Sequence, residues 1–245
     1  MQYTILTYNI AHCIDFNRRN ENPEHVDIQK TAKEIARWQA DVVALNEVFM
    51  GEKEEFNNQT EKLANGANFP FCEFAQGYNF EWAQIGNSVL SKYPLTDIQK
   101  IPVLAPTDEE RFPNETQWYE DRVILKATVG AEKPFDIIAT HFGLNGQEQT
   151  RMIRALLPLI DNRTRPIVLL GDFNIRPHEG ILKPLYERLQ STADIMGNMD
   201  KTFPSWGANR TLDYIFVSNE FKVLDYEVGK QVVSDHLPVK AVVEL

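Results

Sequence analysis

The chain has 245 residues, 43% hydrophobic and 24% charged, enough to bury a sizeable core in one or two domains. Its formal charge of −10 argues against a protein that holds nucleic acid on a broad basic face, because Lys and Arg supply most non-specific phosphate affinity. A local groove or a bound cation can still differ in sign from the whole.

No run approaches the roughly 18 apolar residues needed to cross a membrane. The first residues lack the charged start, apolar stretch and small-residue cleavage site of a signal peptide. A cytoplasmic location is therefore the default expectation, with secretion of a trimmed form left open. The two cysteines, Cys13 and Cys72, cannot build a disulfide framework and lack zinc-site spacing. One bridge is an option, and two free buried thiols are the plainer reading.

The hydrophobic pattern alternates strands and helices, with no repeat, low-complexity tract or linker. Residues 4–10 read as an apolar strand. Residues 27–39 read as an amphipathic helix, with Ile28, Ala32, Ile35, Ala36 and Trp38 near helical spacing. A short buried strand follows at 41–45, and the polar stretch 51–66 allows a helix over 53–65. Strands are expected at 71–76 and 88–90, and Pro94 marks the turn into another at 96–103. The acidic segment 105–121 reads as a surface loop. Its aromatics Phe112, Trp118 and Tyr119 either line a substrate entrance or cap the core edge. Strands resume at 122–129 and 135–140. A helix over 147–160 places Met152, Ala155, Leu156 and Leu159 on one face. A buried strand at 166–170 ends at Gly171. A helix over 179–189 follows, which Pro184 should bend or break. Strands at 211–218, 222–228 and 238–243 complete an α/β pattern of two packed mixed sheets with helices outside.

Polar groups recur at the ends of these strands. Asn9 closes the first and Glu47 follows the second. His141 follows Ile137-Ile138-Ala139-Thr140, and Asp172 and Asn174 follow Val168-Leu169-Leu170-Gly171. Asp213 sits in Thr211-Leu212-Asp213-Tyr214, and Asp235 and His236 in Ser234-Asp235-His236-Leu237-Pro238. Singly, each has an ordinary explanation as a turn former, helix cap or solvated side chain. Together they would share one rim of the sheets. Oxygen donors without cysteine suit hard cations such as magnesium or manganese. Glu47 and Asp235 fit the sparse protein shell that magnesium keeps. Attack of water on a phosphate ester needs that water oriented and the phosphoryl charge stabilised. Asp172 would serve the water, and Asn174, Asn9 and His141 the phosphoryl oxygens. Asp213 would hold His236 in one tautomer.

Gly171-Asp172-Phe173-Asn174, the Leu212-Asp213-Tyr214-Ile215 strand and Ser234-Asp235-His236-Leu237-Pro238, in this order, resemble the endonuclease/exonuclease/phosphatase (DNase I-like) superfamily. Thr7-Tyr8-Asn9-Ile10 and Gly86-Asn87-Ser88-Val89-Leu90-Ser91 with Tyr93-Pro94 extend the likeness over nearly the whole chain. The resemblance implies a single domain over 1–245, a four-layer α/β sandwich of two mixed β-sheets flanked by helices. It implies a metal site formed or supported by Asn9, Glu47 and Asp235, holding Mg2+ or Mn2+. Catalytic roles fall to His141, Asp172, Asn174, Asp213 and His236. Asn46 stands where Gln is usual. In family members with a histidine at the position of His141, an acidic residue supports it, and Glu81 is the nearest candidate. His12 either touches substrate or is a solvated loop residue. Arg122 either faces a phosphate or makes a strand-edge salt bridge.

Three functions follow from this reading. The first is a metal-dependent phosphodiesterase or phosphatase acting on a small or lipid-linked phosphate ester, favoured by the acidic charge and the lack of a basic arm. The second is a metal-dependent nuclease, which would need Arg151, Arg154, Arg163 and Arg165 along a groove rather than on a solvated helix face. The third is a non-catalytic binding module on the same fold.

Overall fold

A computed structural model describes residues 1–18, 20–21, 25–110, 118–198 and 200–245. Phe112, Pro113 and Glu115 of the acidic segment lie outside the described residues. The first sheet contains β1 (Gln2–Asn9), β2 (Val42–Gly51), β3 (Phe71–Asn79), β4 (Ala83–Ser91), β11 (Lys222–Val228) and β12 (Val239–Glu244), in the order β11-β12-β1-β2-β4-β3. The second contains β5 (Leu95–Val103), β6 (Arg122–Val129), β7 (Phe135–His141), β8 (Ile167–Asp172), β9 (Gln190–Ser191) and β10 (Asp213–Val217), in the order β5-β6-β7-β8-β10-β9. Each sheet is mixed: β1 runs parallel to β2 and β7 parallel to β8, and the other pairings are antiparallel.

Alternation along the strands builds the layers. Tyr3 and Ile5 of β1, Val42 and Ala44 of β2, Ile137 and Ala139 of β7, and Val168 and Leu170 of β8 fill the space between the sheets. The other face of the first sheet, with Leu6, Tyr8, Val43 and Leu45, packs on Ile35 of α1 (Ile28–Arg37) and Leu63 of α2 (Gln59–Gly66). The other face of the second, with Ile138, Leu169 and Phe216, packs on Met152, Leu156 and Ile160 of α3 (Gly146–Asp161). Helix, sheet, sheet, helix is the four-layer sandwich expected from the resemblance.

Several element boundaries differ from the sequence pattern, each for a local reason. Strand β2 does not stop at residue 45. It continues through a bulge between Leu45 and Val48, where Glu47 takes a left-handed φ of 56°. The helix expected over 53–65 begins only at Gln59, because Asn58 caps it with its side chain on the Glu61 amide. The stretch 179–189 is not one helix. A 3-10 turn at Gly180–Leu182 leads into α4 (Lys183–Tyr186), with Pro184 in its first turn, where a missing N–H costs nothing. The short β9 and α5 (Thr192–Met196) carry no periodic signal long enough to read. Both cysteines are free, Cys13 buried and Cys72 half-buried. Tyr119 is buried, as a residue capping the core edge would be, and Trp118 is exposed beside Tyr78. Among the described residues no helix is long and apolar enough to cross a membrane.

Asn46 ties the two sheets together. It is fully buried. Its Nδ2 donates to Asn87 Oδ1 at 2.8 Å and to the Thr140 carbonyl at 2.9 Å, and its Oδ1 accepts from the Asp172 amide at 2.9 Å. Asn87 in turn donates to the Val123 carbonyl of β6. The carboxamide therefore meets its partners fully, at the position where the resemblance leads one to expect Gln. An Asn46→Ala change would leave three buried groups without this partner. Urea unfolding of that variant is expected to show a loss of about 3 kcal/mol, the scale of such unsatisfied groups. A loss below about 0.5 kcal/mol would remove the amide from the list of what holds the sheets together.

Candidate active site

The inward-facing parity of the strands carries polar side chains to one end of the inter-sheet space. Asn9 shares its face with Tyr3 and Ile5, His141 with Ile137 and Ala139, Asp172 with Val168 and Leu170, and Asp213 with Ile215 and Val217. Glu47 is out of step with Val42 and Ala44, and the bulge turns it back toward the same end. Glu47, His141, Asp172, Asn174, Asp235 and His236 line one cavity of about 790 Å³. Asn9 and Asp213 are buried directly behind them. All eight residues singled out from the sequence are thus brought together.

Gly171 explains the first position of its motif. It has φ +146°, and a Cβ there would lie 1.8 Å from the Thr140 carbonyl oxygen. Only glycine permits this approach of β8 to β7, which sets Asp172 level with His141. Asn174 follows in a left-handed conformation, φ 51°, with its amide on Asp172 Oδ1 at 2.9 Å.

Asp172 is the hub. Its Oδ2 accepts from Asn9 Nδ2 at 3.1 Å and lies 3.5 Å from both His141 Nε2 and His236 Nε2. Asn9 Nδ2 also donates to Glu47 Oε1 at 2.9 Å, while its Oδ1 accepts from the Ala11 amide at 3.1 Å. Asn9 therefore fixes Glu47 and spends its own oxygen on the backbone. His236 Nδ1 meets Asp213 Oδ2 at 2.8 Å. Burial disfavours the imidazolium, but Asp213 and Asp172 outweigh it and raise the His236 pKa. Burial raises the Asp172 carboxyl, and Asp213 adds to it against the pull of His236.

The second imidazole behaves oppositely. His141 Nδ1 lies 3.3 Å from Arg122 Nη1. A guanidinium only donates, so Nδ1 carries the lone pair and Nε2 the proton. Burial and the Arg122 charge lower the His141 pKa to about 3, which leaves the ring neutral. Arg122, not the exposed Glu81 of the β3–β4 hairpin, supports this histidine, and Glu120 holds Arg122 at 3.0 Å. Asn174 Nδ2 gives one hydrogen to the Phe142 carbonyl at 3.0 Å and sits 3.3 Å from His141 Nε2, leaving its second hydrogen free. Two N–H donors thus converge on one point, an arrangement that an anionic oxygen satisfies.

His12 also lines the cavity, with Nδ1 3.7 Å from Glu47 Oε2 and its ring stacked on Phe49. The Arg122–Glu120 pair is the strand-edge salt bridge that the sequence allowed, but sequence reading missed the Asn46–Asn87 contact and the approach of Arg122 to His141. It also missed an aromatic wall of Phe49, Phe56, Phe80 and Trp82. Hydrophobic side chains in strands are ordinary, so only the three-dimensional arrangement separates these from core.

The donor set was tested against a divalent cation. The His/Asp group within 4.8 Å, Asp172, Asp213 and His236, is already knit by the His236–Asp213 hydrogen bond. Glu47 and Asp235 differ. Among the described residues neither pairs with Lys or Arg, and burial and the charge of Glu47 raise the Asp235 carboxyl even against His236. Two carboxylates lining one basin, neither neutralised by Lys or Arg among the described residues, fit a hard cation.

The sequence profile of the Endonuclease/Exonuclease/phosphatase family matches residues 6–236. No curated protein matches the chain. Among solved structures, the endonuclease/exonuclease/phosphatase from Beutenbergia cavernae DSM 12333 superposes with TM-score 0.78 at 23% identity, over 100% of this chain and 72% of that one. The endonuclease/exonuclease/phosphatase from Bacteroides vulgatus gives TM-score 0.78 at 18% identity, over 100% and 99%. A mannosyl-6-phosphatase from Bacteroides thetaiotaomicron VPI-5482 gives 0.74 at 14% identity, over 99% and 100%.

A histidine whose folded pKa of about 3 lies below the ordinary value of 6.5 takes up a proton on unfolding. Its contribution to stability is present above that ordinary value and is lost as pH falls toward the folded pKa. Nitrogen NMR of the metal-free protein should show His141 neutral at pH 5 with its proton on Nε2. A ring titrating near pH 6.5, or protonated on Nδ1, would contradict the arrangement.

Proposed function

The chain belongs to the Endonuclease/Exonuclease/phosphatase family, and on that premise we propose that it is a divalent-metal-dependent hydrolase of phosphate esters. We take its substrate to be a small or lipid-linked phosphate, with the protein acting as a phosphodiesterase or phosphatase. The observation that carries this reading is the placement of one buried carboxylate, Asp172, 3.5 Å from two imidazoles held in opposite charge states.

Glu47 and Asp235 would hold Mg2+ or Mn2+, with Asn9 fixing Glu47. When bound, the cation supplies Lewis-acid stabilisation of phosphoryl charge. His236, kept protonated by Asp213 and Asp172, adds a fixed positive charge and is no base at neutral pH. That leaves Asp172 to orient and deprotonate the attacking water, and burial raises its basicity toward the useful range. Asn174 Nδ2 and His141 Nε2 donate to a phosphoryl oxygen, and Arg122 keeps the His141 proton on that side.

The nuclease reading has less support. Arg151 pairs with Glu110, Arg163 with Glu220, and Arg165 with Asp97 and Asp136. None of these arginines lines the cavity, and neither does Arg154. A mannosyl-6-phosphatase among the structural neighbours fits the small-ester reading.

A screen of a phosphomonoester, a phosphodiester, sphingomyelin, inositol phosphates and plasmid DNA, with Mg2+ or Mn2+, tests the assignment. Turnover of a small or lipid ester that chelator abolishes is expected. Asp172→Ala and His236→Ala should fold and lose at least ~100-fold in kcat, the scale of a lost acid–base or electrostatic group. Full activity in both variants would sink the mechanism. DNA nicking without small-ester turnover would reverse the ranking.

A further inference from the structure

We propose that the end of the cavity away from Asp172 is a binding site for a planar aromatic ring carried by the substrate, read mainly by Trp82 and Phe80. The inference rests on the phosphoester reading only for what the ring is attached to.

Four observations lead to it. The cavity of about 790 Å³ is the size of a pocket that encloses a whole organic ligand rather than a phosphoryl group alone. The buried polar residues cluster around Asp172, whereas the rest of the lining includes Phe49, Phe56, Phe80 and Trp82, with the exposed Lys53 and Glu55 at its rim. Phe49 is 4% exposed and part of the packing, but Phe80 and Trp82 remain 36% and 40% exposed inside a concave surface. Lys53 Nζ sits over the Trp82 ring, 5.6 Å from its centroid, and makes no ion pair among the described residues, so this cation and the ring's 40% exposed surface are both turned to the cavity mouth.

The arrangement of the rings favours a flat occupant. Phe80 and Trp82 are stacked within 20° of parallel at 5.8 Å, and His12 and Phe49 within 9° at 4.3 Å. Trp82 stands edge-on to Phe49 at 5.4 Å, so the two stacks are joined. A planar ring can extend either stack, gaining the offset or edge-to-face contacts that aromatic pairs prefer. The wall is also held rigidly. Buried Gln59 accepts from the Phe49 amide and donates to the His12 carbonyl, and fixes the loop in which Ala11, His12 and Cys13 all take left-handed φ. The exposed Glu52, Glu54, Glu55 and Glu81 around this mouth disfavour an anionic lipid surface as the occupant. A nucleobase and a simple aryl group share the required chemistry.

The test is equilibrium binding with Mg2+ present, in an Asp172→Ala background that limits turnover. The ligands are 2-naphthyl phosphate, adenosine monophosphate, hexyl phosphate and glycerol phosphate. At least one of the two ring-bearing esters is expected to bind about tenfold or more tightly than glycerol phosphate and hexyl phosphate, in line with the usual worth of ring stacking on an aromatic side chain. Adding Trp82→Ala should remove that advantage, and Trp82→Phe should restore most of it. Preference for the nucleotide would assign a nucleobase, and preference for the naphthyl ester an aryl group. Equal affinities, hexyl phosphate binding as well as the ring esters, equal weakening of all four by Trp82→Ala, or no binding at all would each overturn the proposal. Wild-type protein that turns over none of the esters while the ring preference persists would instead count against the phosphoester reading alone.

Discussion

The two hydrogen bonds that Asn46 makes with β7 and β8, with a third to Asn87, which itself reaches β6, set the distance and register between the two sheets at the end where polar groups are concentrated. A sandwich filled with Ile, Val, Leu and Ala tolerates sliding, because dispersion contacts have little direction. A carboxamide with two donors and an acceptor, all satisfied by groups on β4, β7 and β8, does not. Its bond to the Asp172 amide places the hub of the site from the opposite sheet. The geometry around Asp172 therefore depends on an interaction that touches no substrate.

Strand parity does the rest of the placement. The same alternation that packs Ile137 and Ala139 between the sheets delivers His141 one step further along, and Val168 and Leu170 deliver Asp172. This is why much of the site was legible in the sequence. Polar residues that end apolar strands are found at the rim of the core those strands build. Glu47 shows where such reading falls short. A polar pair after Val42–Leu45 looks like a strand end, yet β2 continues, and only a bulge with left-handed Glu47 reconciles the carboxylate with the rim. Nothing local announces that bulge, because its reason is the partner strand. The support of His141 by Arg122 was hidden for the same reason. Residues 122 and 141 meet through the pairing of β6 with β7, and the sequence marks neither as a partner of the other.

The two imidazoles show how one buried site sustains two charge states. Both are desolvated, which by itself favours the neutral ring. Carboxylates on either nitrogen of His236 reverse that preference, while a guanidinium on His141 reinforces it. Exchanging the neighbours would exchange the roles. Buried rings alone would have given two neutral donors and no fixed positive charge at this end of the cavity.

The net charge of −10 is best understood at this local scale. Several of the acidic groups are buried in the site or crowd the cavity mouth, and the basic residues on α3 and just beyond it are largely engaged with acidic partners of their own. Among the described residues Arg151, Arg163 and Arg165 each face an acidic partner. The cavity joins two unlike ends, one of N–H donors and an imidazole whose pKa is raised, the other an aromatic wall. On the proposed reading, such a pairing would favour a single phosphate joined to a compact organic group, because each end contributes only where the two are held about one ligand length apart.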